Sequence, residues 1–215
     1  IFCTNFTNLG HFLQLTIVLF KLFNLLLFIK MKIFRYFIII FIFLNTPIKA
    51  SLNENIINQL KEGGKLIFIR HAYAPGSGDP NNFDLKDCST QRNLNKEGRL
   101  QSKKIGYYFK KNKIPIQKVI SSEWCRCKET ASIAFSNFKT ETFLNSFYSI
   151  KYQKNKDPQI DQLKLYVKNW DKKKNLILVT HYVVISEILN YAPSSGEIVI
   201  SDINFKLIGS ISNIK

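Results

Sequence analysis

Short, uninterrupted apolar runs alternate with segments of helical spacing from residue 53 onward. Asn53 is placed to cap a short helix that shares Ile56, Ile57 and Leu60 on one face and stops at Gly63-Gly64. Leu66 to Ile69 then form a strand over 65–70, followed by a loop over 72–92 rich in Gly, Pro, Asn and Asp. A loop of that length in a compact domain argues for function. Asn95 caps a helix running to about Asn112, with Pro115 beyond its end. A second strand, KVISS at 118–122, leads into a helix over about 123–135. Residues 136–156 are irregular, polar and aromatic. Asp157 caps the next helix with Pro158 at its first position, and Ile160, Leu163, Val167 and Trp170 share one face. NLILVT is a third strand ending at His181, YVVISEILN a buried helix, and GEIVIS and FKLIGSIS two final strands.

Strands that are apolar throughout are buried on both faces, and alternating βα units place helices on those faces. The expected fold class is therefore α/β: a three-layer α/β/α sandwich with a mainly parallel central sheet. The chain has no internal repeat, no Walker-type loop and no Rossmann glycine pattern.

Composition separates the N-terminal region from this domain. Residues 1–50 contain no Asp or Glu, and the only Met is Met31. From Met31 a short basic start with Lys32 and Arg35 precedes an apolar run from Tyr36 to Leu44, and the segment closes on Ile48-Lys49-Ala50. That is the layout of a secretory signal peptide cut between Ala50 and Ser51, although Ile48 is large for its position. The expected organisation is an upstream extension outside the fold (1–30), a signal peptide (31–50) and one domain (51–215). Export to the periplasm or the medium follows, with an uncleaved membrane anchor as the other outcome.

The chain carries 31 Lys and Arg against 15 acids. Five of the basic residues precede residue 51, which leaves 26 against 15, a balance of +11 for the domain. The charge is spread out, as in KKNK and DKKK, and reads as solvated helix ends rather than a nucleic-acid surface. No nucleic-acid partner is expected. Cys88, Cys125 and Cys127 lie in the domain, and an exported protein should join two of them in a disulfide, with the pairing open. A second Cys pair is missing and no His is near, so no metal is expected.

The chemistry gathers at the strand ends. The first strand ends in Arg70-His71, the second in Ser121-Ser122 with Arg126 in the first turn of its helix, and the third in Thr180-His181. Parallel strands bring these ends to one edge. Two guanidiniums and two imidazoles beside helix N-termini suit a tetrahedral dianion. A neutral imidazole held at one nitrogen could attack phosphorus with the other, giving a phosphohistidine that water later splits.

With these motifs the sequence resembles the histidine phosphatase superfamily, the phosphoglycerate-mutase-like fold. LIFIRHA is similar to its Arg-His motif, RNLNKEGRLQSKKIG to its following helix, VISSEWCRCKETA to its second-arginine motif and LILVTH to its second-histidine motif. The four occur in order, and the resemblance spans roughly 60–190. It implies that His71 is the nucleophile and that Arg70, Arg126 and His181 line the phosphate pocket. Arg92 is either a further phosphate contact or half of a surface ion pair. Glu129 and Thr130 match the family's ET pair and read as helix-packing residues. No cofactor is implied.

The proton donor is where the resemblance weakens. Residues 140–150 offer only Glu141, and Tyr182 follows His181 where an Asp would complete a pair. Asp79, Asp84 and Asp87 of the long loop and Glu123 are the alternatives. Asp84 and Asp87 are preferred, because that loop can fold over the pocket. The expected activity is hydrolysis of a small-molecule or glycan phosphomonoester, with phosphorylated lipopolysaccharide sugars among the substrates of exported relatives. The competing readings are a phosphate binder without catalysis and a phosphatase of protein phosphohistidine.

Overall fold

Leu66 to Ile69 and Leu176 to Val179 have no solvent exposure. Their strands lie side by side at the centre of a six-stranded sheet, where only apolar side chains on both faces are tolerated. The computed structural model describes residues 20–38, 48–212 and 214. The rest of the expected extension and the remainder of the signal peptide's apolar run lie outside the described residues. Residues 20–38 form a helix, α1, in which Lys32 Nζ lies 4.8 Å from the centre of the Phe28 ring. Among the described residues no helix is long and apolar enough to cross a membrane.

The domain proceeds through α2 (Ile48–Glu62), β1 (Leu66–Arg70), α3 (Lys96–Lys111), β2 (Ile116–Ser121), α4 (Cys125–Phe135), β3 (Lys139–Thr140), α5 (Lys156–Lys168), β4 (Asn175–Thr180), α6 (Tyr182–Leu189), β5 (Ile198–Ser201) and β6 (Leu207–Ile211). The sheet order is β3-β2-β4-β1-β5-β6. The first four strands in that order are parallel, while β5 pairs antiparallel with β1 and β6 antiparallel with β5 along the far edge. Period-two alternation divides the core: Ile67 and Ile69 join α2, α3 and α4 on one face, and Leu66 and Phe68 join α5 and α6 on the other. This is the expected three-layer α/β/α arrangement.

Several boundaries differ from expectation. Helix α2 begins at Ile48 rather than after Asn53 and runs through the Ala50–Ser51 bond. Asn155, not Asp157, precedes α5; Asp157 sits exposed in its first turn beside Lys156. The segment expected to be irregular contributes β3, because Lys139 and Thr140 pair with Ile120 and Ser121. Asn95 does cap α3, with Oδ1 accepting from Gly98 N–H at 2.9 Å.

The registers place the site. Arg70 pairs with Thr180, and Ser121 with Val179, so the C-terminal ends of β1, β2 and β4 emerge level on one edge. Helix α3 packs closely on α4 because Gly106 has no side chain: a Cβ there would stand 2.3 Å from the Ala134 carbonyl oxygen. Ala is the better helix former by about 1 kcal/mol, but overpacking against backbone costs about 1–3 kcal/mol. With the short approach to backbone placing the cost at the upper end of that range, Gly106→Ala is expected to lower stability by up to about 2 kcal/mol, read as a lower midpoint in urea unfolding. An unchanged or higher midpoint would contradict this packing.

Candidate active site

His71 leaves the end of β1 with its backbone N–H donating to Thr180 O at 2.9 Å, and its ring is buried. Nδ1 lies 2.9 Å from the Ala72 carbonyl oxygen, an acceptor only, so the proton is on Nδ1 and the lone pair on Nε2. Nε2 accepts from Arg126 Nε at 3.2 Å. Thr130 couples the two elements: its Oγ accepts from Ala72 N–H at 3.0 Å and donates to Arg126 O at 2.7 Å. The expected packing role of Thr130 is thus a lock between the His71 loop and α4. Glu129 points outward and pairs with Arg99 at 2.6 Å.

Arg126 is 3 % exposed, and a guanidinium that buried requires an anion. Asp79 supplies it. Its Oδ1 and Oδ2 accept from the two Nη atoms of Arg126 at 2.6 and 3.1 Å, a bidentate fork. The same carboxylate accepts from Arg92 N–H at 3.1 Å and Trp124 Nε1 at 3.1 Å.

His181 precedes α6, with its ring centre 5.4 Å from that of His71. Its Nε2 lies 3.0 Å from Ser122 Oγ and 3.5 Å from the Cys127 sulfur. Ser122 Oγ is also 3.0 Å from Asn145 Oδ1, which accepts from Glu123 N–H as well. The Ser122 hydroxyl gives its one proton to Asn145 Oδ1, so only the Cys127 thiol is left to donate to Nε2; in that arrangement the ring proton is on Nδ1, the form able to donate to a phosphate oxygen. Asn145 and Ser122 are thus the supports of His181. Nothing in the sequence spacing marks Asn145, which reaches β2 from a segment of short 3-10 turns.

Arg70, Arg126, Arg92, His71 and His181 all line a single cavity of about 430 Å³, which Tyr148, Lys151, Tyr152 and Tyr182 also line. Arg70 donates through Nη1 to Pro193 O at 2.8 Å, while its buried Nε has no partner. Arg92 spends its guanidinium on the loop, donating to Gly78 O at 2.8 Å and to Ala74 O. It is a cavity wall and loop clasp, not half of a surface ion pair.

The preferred proton donors are not where they were expected. Asp84 and Asp87 bridge to each other in a turn away from the cavity. Asp84 Oδ1 accepts from Lys86 N–H, and Asp87 Oδ1 caps the 3-10 turn Cys88–Thr90 through the hydroxyl and N–H of Ser89, which together lower its pKa. The loop folds back at this point because Gln91 donates to Asp84 O and Leu85 O and accepts from Cys125 N–H. Asp79 is the one carboxylate lining the cavity among the described residues. Of the three cysteines, Cys88 and Cys125 form the disulfide, pinning the loop one residue before Arg126. Cys127 is the free thiol, fully buried, and burial pushes its pKa up to about 12.

Electrostatics keep both rings neutral. Burial first, then the charge of Arg126, lowers the pKa of His71 and of His181 well below the ordinary value. Burial alone would raise the Asp79 carboxyl, but the hydrogen bonds and charge of Arg126 outweigh it and hold the pKa below the usual carboxylate range.

Two neutral histidines and three arginines thus line one cavity at the edge of the parallel strands. Residues 66–146 match the family model of the histidine phosphatase superfamily (branch 1). Solved structures similar to it include the protein histidine phosphatase SixA complexed with tungstate (14% identity, 69% of this chain and 96% of that one, TM-score 0.49). A phosphoglycerate mutase from Thermus thermophilus is similar at 13% identity over 69% of this chain and 99% of its own, with a TM-score of 0.48. A phosphoserine phosphatase of Entamoeba histolytica in complex with phosphoserine is similar at 16% identity over 63% and 89%, with a TM-score of 0.46. No curated protein matches the chain.

The depressed histidine values have a signed consequence. The unfolded chain takes up these protons near pH 6.5 while the folded chain resists them, so their contribution is complete above about pH 6.5 and is lost as pH falls below it. Stability against urea is expected to decline from about pH 7 to pH 5. Over the same range the His71 and His181 ring signals in NMR should keep neutral shifts; titration of either near its ordinary value would contradict the buried, neutral pair.

Proposed function

We propose that this protein is a phosphatase that hydrolyses a phosphomonoester through a phosphohistidine on Nε2 of His71. The supporting observation is the state of that ring: Nδ1 pinned to Ala72 O, Nε2 unprotonated and facing the Arg126 guanidinium. In the first step the Nε2 lone pair forms a bond to phosphorus while the P–O bond to the leaving group breaks. Arg126, Arg70 and His181 bind the equatorial oxygens, where charge must be stabilised during in-line transfer. Water then attacks phosphorus, and the P–N electron pair returns to Nε2. The cavity is far larger than a phosphate group, and its tyrosine- and lysine-bearing lining suits a small-molecule or sugar leaving group. His71→Ala is expected to abolish phosphate release with the far-UV spectrum unchanged. Rapid mixing with radiolabelled phosphoester and an alkaline quench should trap label on the peptide containing His71. Label on another peptide, or turnover surviving in the variant, would overturn the reading.

The same proposal extends to location: the protein works outside the cytoplasm. Support comes from the signal-peptide layout of residues 31–50 and from the Cys88–Cys125 disulfide, a bond that persists in oxidising compartments. Cell fractionation with N-terminal sequencing tests it. The expected result is an exported chain beginning at Ser51, and a cytoplasmic chain retaining Met31 would be the contrary one.

A further inference from the structure

Asp79 occupies the donors that a phosphate needs. Both Nη atoms of Arg126 are taken by its carboxylate, while Nε of the same guanidinium touches the His71 nitrogen that would attack. A carboxylate so seated lies beside the nucleophile, where a transferring phosphoryl group would have to sit. It is carried on a loop whose neighbouring Gly76 and Gly78 both have positive φ, at 89° and 67°, and a Cβ on Gly78 would meet nothing within 4 Å. There is open space beside Gly78, so moving Asp79 requires releasing the bonds from Arg92 and Trp124 rather than displacing packed side chains.

We propose, resting on the phosphatase reading, that substrate phosphate displaces Asp79 from Arg126 and that the released carboxyl then delivers the proton to the leaving oxygen. The proton arrives with the substrate monoanion, which passes it to the carboxylate as the phosphate seats on Arg126. As Nε2 bonds to phosphorus, the P–O electron pair moves onto the leaving oxygen, and that oxygen takes the proton from Asp79. In the second step the attacking water gives a proton back to Asp79 as the P–N bond opens, and the departing phosphate takes that proton as the carboxylate returns to Arg126. Loss of Arg126 and proximity to phosphate both favour the protonated carboxyl. Asp79 is then the acid that the sequence motifs lack, and in the free protein it guards the pocket against other anions.

The test is Asp79→Asn, with Asp79→Glu as the variant that keeps a carboxyl. A proton donor is worth about 10²–10⁴ in rate. Turnover of an alkyl phosphate is expected to fall by that factor in Asp79→Asn and to recover in part in Asp79→Glu. Turnover of p-nitrophenyl phosphate, whose leaving group hardly needs a proton, should fall by less than about tenfold. Inorganic phosphate should bind Asp79→Asn several-fold more tightly by calorimetry, because its internal rival is gone. Equal losses on both substrates would remove the proton-donor role, and unchanged or weaker phosphate binding would remove the displacement. Phosphohistidine formation by the unsubstituted protein is measured alongside. If it fails, the phosphatase reading falls, while the phosphate titration still decides whether Asp79 holds the anion seat.

Discussion

The guanidinium of Arg126 is the contact on which the site depends. It is almost wholly buried in the first turn of α4, and such a charge persists only with its donors satisfied. Its Nε reaches the nucleophile and its two Nη atoms reach Asp79, so one planar group fixes the separation between an imidazole and a carboxylate. Lys could not do this, because an ammonium has no fork and no fixed plane. The low pKa values of both histidines and of Asp79 trace in part to this one charge.

The scaffold supports that contact from several sides. Level strand ends bring His71 and His181 to one edge, and Thr130 ties the loop after β1 to α4 by two hydrogen bonds. The long loop is anchored by Gln91, by the Cys88–Cys125 bond and by the stacking of Phe83 on Trp124. Trp124 in turn donates to Asp79 and packs edge-on against His181. The result is a cradle in which one carboxylate is held on a glycine-bearing turn by Arg92, Trp124 and Arg126.

Much of this was legible in the sequence because it is local. Arg70, His71 and His181 follow directly from where apolar runs stop, and Arg126 from its place just inside a helix after β2. The three-layer fold follows from strands with no polar alternation. What escaped was non-local. Three aspartates share the 72–92 loop, and which of them faces inward depends on Gln91 and a disulfide reaching across from α4. The loop's reach favours Asp84 and Asp87, yet both are consumed by their own turn. Asn145 lies in a segment without periodicity, and only tertiary packing sets it beside Ser122. The start of α2 differs from expectation because Asn53 is a good cap residue that the chain does not use as one.

The odd cysteine has a consequence for how the chain oxidises. Thiol–disulfide exchange proceeds through the thiolate, and a thiol with its pKa near 12 is ionised at neutral pH only to about one part in 10⁵. Cys127, two residues from Cys125 in sequence, is therefore a chemically silent neighbour once the domain has closed around it. The free thiol closest in sequence to the native cross-link is thus the one least able to attack it.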